Sequence, residues 1–146
     1  MNTFIRRFLQ ASVLAFVGTS LAQAPAPAAA GAHVAIKGYD PVAYFTQNKA
    51  VKGAANISYD FDDARYQFSS ADHKKAFSQN PDKYAPQFTG FCTTGLAMGH
   101  RVESNPEIFL IADGKLYTFS TAQARDMAKA DPKLLAEAEK NWRAKK

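Results

Sequence analysis

A single cysteine, Cys92, in a 146-residue chain that opens like an exported protein restricts the possible folds more than any other feature. A small exported domain with several cysteines can lean on disulfides, but one cysteine allows no internal bridge, so this fold has to stand on its hydrophobic core. The export reading comes from Met1 to Ala24. Arg6 and Arg7 form a charged start, Phe8 to Leu21 a mostly apolar run, and Ala22-Gln23-Ala24 a small-residue cleavage region. Gln10, Gly18, Thr19 and Ser20 interrupt that run, which argues against a spanning helix. No membrane anchor is therefore expected after cleavage, and the mature protein is expected to be periplasmic or secreted. Arg6-Arg7 followed by Phe8-Leu9 half resembles a twin-arginine signal, so both general and twin-arginine export stay open.

Residues 25–33, mostly Ala and Pro, read as a linker without fixed structure, and 34–146 as one domain. Losing Arg6 and Arg7 leaves 16 basic residues against 13 acidic ones, a net charge of +3. The C-terminal lysines alternate with Asp126, Asp131, Glu137 and Glu139, the pattern of a solvated helix face, and nucleic acid is not an expected partner.

Within the domain, Asp40-Pro41 reads as a turn and Val42 to Phe45 as a short apolar strand. Ile57, Tyr59 and Phe61 alternate, Asp62-Asp63 turns the chain, and Tyr66 and Phe68 resume the alternation, which predicts a hairpin with one aromatic face in the core. Ser69 and Ser70 offer a cap for a helix from about Ala71 to Gln79, ended by Asn80-Pro81. His73, beside Lys74 and Lys75, reads as an exposed histidine. Asp113-Gly114 between two apolar runs predicts a second hairpin. Ser120 is the expected cap of a helix to about Ala130, and Asp131-Pro132 opens a last helix. That helix is expected to dock on the sheet through Leu134, Leu135, Ala138 and Trp142. The fold class is α+β: a small single domain with two antiparallel hairpins packed against three or four short helices.

Tyr66-Gln67-Phe68-Ser69-Ser70, Phe77 and Asn80-Pro81-Asp82-Lys83-Tyr84 resemble the hairpin, helix and Asn-Pro-x-x-Tyr ending of a YHS domain. Asp40-Pro41-Val42 resembles its opening. The longer pattern, from Gly38-Tyr39-Asp40-Pro41 through Gly90-Phe91-Cys92 to Asp113-Gly114-Lys115-Leu116-Tyr117, is similar to the exported single-domain YHS proteins of bacteria. The resemblance covers nearly all of the mature chain and implies a fold rather than an activity. Metal-associated YHS domains carry a cysteine after the Asp-Pro-Val opening and another after the second strand. Ala43 and Ser69 stand in those places here, and the tripeptide that names the family is missing around Ile57-Ser58-Tyr59. The relatives' metal site is therefore not carried over.

Three functional classes remain. In the first, Cys92, Met98 and His100 supply thiolate, thioether and imidazole, a soft set that suits Cu(I) or another metal or cofactor, although Met98 alone reads as core packing. In the second, Cys92 is a nucleophile with His100 or His73 as base. In the third, Cys92 is a buried inert thiol in a structural module or one that binds a partner protein. A further metal site depends on cleavage after Ala30. The chain would then begin Gly31-Ala32-His33, and the amine, two backbone nitrogens and the His33 imidazole could hold Cu(II) or Ni(II) in a plane.

Overall fold

The chain is described by a computed structural model that covers residues 33–144. The signal region, the cleavage positions and the linker up to residue 32 lie outside the described residues. The first half runs β1 (His33–Val34), a tight turn Ala35–Gly38, α1 (Pro41–Gln47), the hairpin β2 (Ala54–Phe61) and β3 (Ala64–Phe68), α2 (Ala71–Gln79) and α3 (Pro81–Tyr84). The second half runs a tight turn Gln87–Gly90, α4 (Thr93–Ala97), the hairpin β4 (Asn105–Ala112) and β5 (Lys115–Phe119), α5 (Ala122–Ala130) and α6 (Lys133–Arg143). The first sheet has the order β1-β3-β2 with β1 parallel to β3, and the second is the β4-β5 pair. The architecture is the expected small α+β domain with two antiparallel hairpins, and six α-helices are present among the described residues.

Local chemistry explains where the elements begin. Val42 to Phe45 is helix rather than strand. Asp40 caps α1 by accepting from the Val42 and Ala43 amides, and Pro41 occupies the first helical position, where a missing N–H costs nothing. Ser70, not Ser69, caps α2 by accepting from the His73 amide, and Thr121, not Ser120, caps α5 by accepting from Ala124. Each displaced serine instead donates to the residue that caps the first helix of its half, Ser69 to Asp40 and Ser120 to Cys92. The last helix packs on α4 and on the Gln87–Gly90 turn more than on a sheet. The Asn141 amide donates to the Leu96 and Ala97 carbonyls, and Trp142 meets the rings of Phe88 and Phe91.

The two halves repeat one another. Equivalent residues differ in number by 52 through the turn and first helix, and by 51 from Val51 onward. Asp40 N donates to Val51 O and Cys92 N to Val102 O, both at 2.8 Å. The parallel pair Val34–Arg65 recurs as Pro86–Leu116, and the antiparallel bridge Tyr39–Lys52 recurs as Phe91–Glu103. Both hairpins shift register at the same point, after Ala54 and after Asn105. Two core clusters form, one with Tyr44, Tyr66, Phe68 and Phe77 of the first half together with Leu116 of β5, and one with Leu96, Tyr117, Phe119 and Ala138 of the second. A seam joins them. The Tyr44 hydroxyl donates to Pro106 O at 2.8 Å, and Gly90, at φ +94°, lies so close to Ile36 that an added Cβ would meet the Ile36 nitrogen at 2.8 Å.

Candidate functional site

Cys92 and Asp40 hold the same place in the two halves, immediately before the first helix. Asp40 is fully buried, and its carboxylate accepts five bonds: from the Val42 and Ala43 amides at 2.9 and 3.3 Å, the Ser69 amide at 2.8 Å, the Ser69 hydroxyl at 2.6 Å and His73 Nδ1 at 2.7 Å. His73 is thus not the exposed histidine its neighbours suggest. Facing a carboxylate oxygen, its Nδ1 is the donor, and the ring is held across 33 positions of sequence. Ala43 and Ser69, where metal-associated YHS domains are expected to carry cysteines, both meet Asp40.

The equivalent network in the second half is sparse. Cys92 is 1% exposed, and its sulfur receives only the Gly95 amide at 3.5 Å and the Ser120 hydroxyl at 3.4 Å. Gly95 corresponds to Ala43 and Ser120 to Ser69, but Ala124 stands where His73 would be. No imidazole fills the gap. A pocket of about 310 Å³ opens there, lined by Cys92, Met98, Val102, Ser120, Thr121 and Met127, among others. Met98 is 57% and Met127 40% exposed, which corrects the reading of Met98 as core packing. Three sulfur-bearing side chains, one from the α4 cap, one from its end and one from α5, therefore surround one opening. Among the described residues no three of His, Cys, Asp and Glu converge, so a soft site here has to be completed by thioether sulfur.

The other residues singled out in the sequence lie elsewhere. His100 is exposed and does not line the pocket; its backbone amide donates to Gly95 O at 2.8 Å. Neither His100 nor His73 bonds the Cys92 sulfur, whose side-chain neighbour is a serine. His33 begins β1, and its ring stacks on Phe91 with centroids 5.6 Å apart and planes 7° apart. Gly31 and Ala32, which the planar copper or nickel site also needs, lie outside the described residues. Met127, and the contact of Ser120 with the Cys92 sulfur, escaped the sequence reading. The signal that could have found them is the internal repeat, Tyr66-Gln67-Phe68-Ser69-Ser70-Ala71 against Tyr117-Thr118-Phe119-Ser120-Thr121-Ala122, which pairs Ser120 with Ser69 and Cys92 with Asp40.

The chain matches no protein-family model, no curated protein and no solved structure.

Proposed function

We propose that this chain is an exported, YHS-like binding module, non-enzymatic, whose second half takes a soft metal ion, Cu(I), in the pocket between α4 and α5. One observation carries the reading: Cys92, Met98 and Met127 line a single open pocket at the place that His73 fills in the other half. Thiolate and thioether donors favour Cu(I) over Zn or Ca, and two or three sulfur ligands suffice for it. The Gly95 amide and Ser120 hydroxyl orient the sulfur, as outer partners orient a metal ligand. Export is supported by Arg6, Arg7, the apolar run to Leu21 and the small residues before Pro25. An unpaired thiol in an oxidising compartment is exposed to oxidation unless burial or a ligand protects it, and this pocket provides for both.

Titration of the purified protein with Cu(I) against a competing chelator tests the site. Cys92→Ser is expected to weaken binding at least about tenfold, because a hydroxyl is a harder donor. Met127→Leu is expected to weaken it severalfold, and His100→Ala to leave it unchanged. Equal affinity in Cys92→Ser and the parent ends the proposal. A second reading, a structural thiol in a protein-interaction module, is favoured by the position of Cys92 as a buried helix cap. It is upheld if Cys92→Ser costs about 1 kcal/mol of stability and Cu(I) binds neither form.

A further inference from the structure

The two halves meet along a second cleft, of about 360 Å³, whose lining is unlike that of the sulfur pocket. Phe91 and Trp142 form an aromatic wall, extended by the His33 ring stacked on Phe91. The Arg101 guanidinium lies over both, 4.6 Å from the Trp142 centroid and 5.4 Å from that of Phe91. Arg101 is exposed and pairs with no carboxylate among the described residues, so its donor edge is unspent. Across the cleft stands the tip of the first hairpin, Asp62-Asp63. Asp63 is exposed, makes no ion pair among the described residues, and holds a left-handed backbone at φ +63°. At the same turn position the second hairpin has Gly114, at φ +71°. Glycine is the less strained residue there, so the first hairpin keeps a carboxylate at the rim of the cleft against its conformational preference.

From this arrangement we infer that the cleft is a binding site for a small aromatic zwitterion, with its carboxylate on Arg101, its ring on the Phe91–Trp142 wall and its ammonium group towards Asp63. A guanidinium pre-set on aromatic faces pairs with a carboxylate through two parallel N–H donors. The wall offers offset or edge contacts to a flat ring. The acidic hairpin tip repels a second negative charge and attracts an amine. A cleft of this volume accommodates a ligand of about a dozen heavy atoms. The inference is independent of the sulfur pocket, since the two share no lining residue.

Trp142 is the chain's only tryptophan, so its emission reports on the cleft directly. Titrating the full chain with L-phenylalanine is expected to give a saturable change in that emission. Phenylacetate, which lacks the amine, and phenethylamine, which lacks the carboxylate, are each expected to need at least about tenfold more ligand, the loss of one charge-assisted contact. Arg101→Gln is expected to weaken L-phenylalanine binding at least about tenfold by calorimetry, a readout that does not depend on the changed surroundings of the indole. Asp63→Gly is expected to bind severalfold more weakly while melting at a higher temperature than the parent. The absence of a saturable response to L-phenylalanine, or equal midpoints for the parent and both variants, overturns the assignment. Should Arg101→Gln fail to fold, the Asp63→Gly comparison decides alone.

Discussion

Asp40 in the first half and Cys92 in the second cap equivalent helices, hang from equivalent backbone bonds and face equivalent serines, yet one closes its surroundings and the other leaves them open. The first carries a charge and gathers five donors, His73 among them. The second carries a sulfur with two long contacts and an alanine where the histidine would stand. A single architectural position thus serves as an anchor when a carboxylate and an imidazole saturate it, and as a candidate site when both are replaced by smaller or softer groups. The candidate site is the unsaturated copy.

The sharpest way to break that comparison is to truncate both caps. Asp40→Ala leaves the Ser69 hydroxyl, His73 Nδ1 and three amides, those of Val42 and Ala43 buried, without their acceptor and is expected to cost about 3–5 kcal/mol, read from urea unfolding. Cys92→Ala removes two weak bonds to sulfur and is expected to cost about 1 kcal/mol. Equal losses would show that the two caps carry equal weight.

Alkaline titration separates the two cores next. Tyr66 and Tyr117 are equivalent, and burial raises the pKa of both phenols, helped by the Asp62 charge for Tyr66 and by Glu139 and Asp113 for Tyr117. Burial does the same for Tyr44, aided by the neighbouring Tyr39, Asp40 and Glu107. A folded-state pKa above the unfolded value of about 10 means that the folded chain keeps protons that the unfolded chain releases. Stability from these groups is therefore intact below pH of about 10 and falls above it, by at most about 1.4 kcal/mol per pH unit for each phenol. Tyr66 is the more deeply buried of the equivalent pair, so Tyr66→Phe is expected to flatten the alkaline loss more than Tyr117→Phe. The reverse order would place the tighter core in the second half.

The smallest change in stability is expected from the variant that makes the halves alike. Ala124→His puts an imidazole where His73 stands and is expected to shift stability by less than about 1 kcal/mol, yet to strengthen Cu(I) binding severalfold by adding a nitrogen donor to the pocket that Ala124 lines. Unchanged Cu(I) affinity would show that the opening is not a Cu(I) site.

How much of this was legible in the sequence follows from how local each signal is. Asp113-Gly114, the aromatic alternation from Ile57 to Phe68 and the Ala71–Gln79 helix rest on neighbours in sequence, and all appear as expected. Val42 to Phe45 did not, because four apolar residues have too little period to separate strand from helix, and the deciding cap bonds come from the Asp40 side chain. His73 looked solvated because its lysine neighbours are adjacent and its carboxylate partner is not. The pocket was half visible: Cys92 and Met98 share one segment, while Met127 comes from α5. The repeat that would have joined them is masked where it matters, since aspartate faces cysteine and histidine faces alanine across it.

The interlocking of the two turns at Gly90 and Ile36 has a consequence for how such a chain can change over time. A seam with no room for a methyl group binds the halves into one cooperative unit, so neither can be exchanged, trimmed or loosened without loss to the other. The caps are under no such restraint, because each is satisfied within its own half. Variation is therefore channelled away from the joint and towards the second cap, Cys92, which is free to take up new chemistry while Asp40 holds the first half steady.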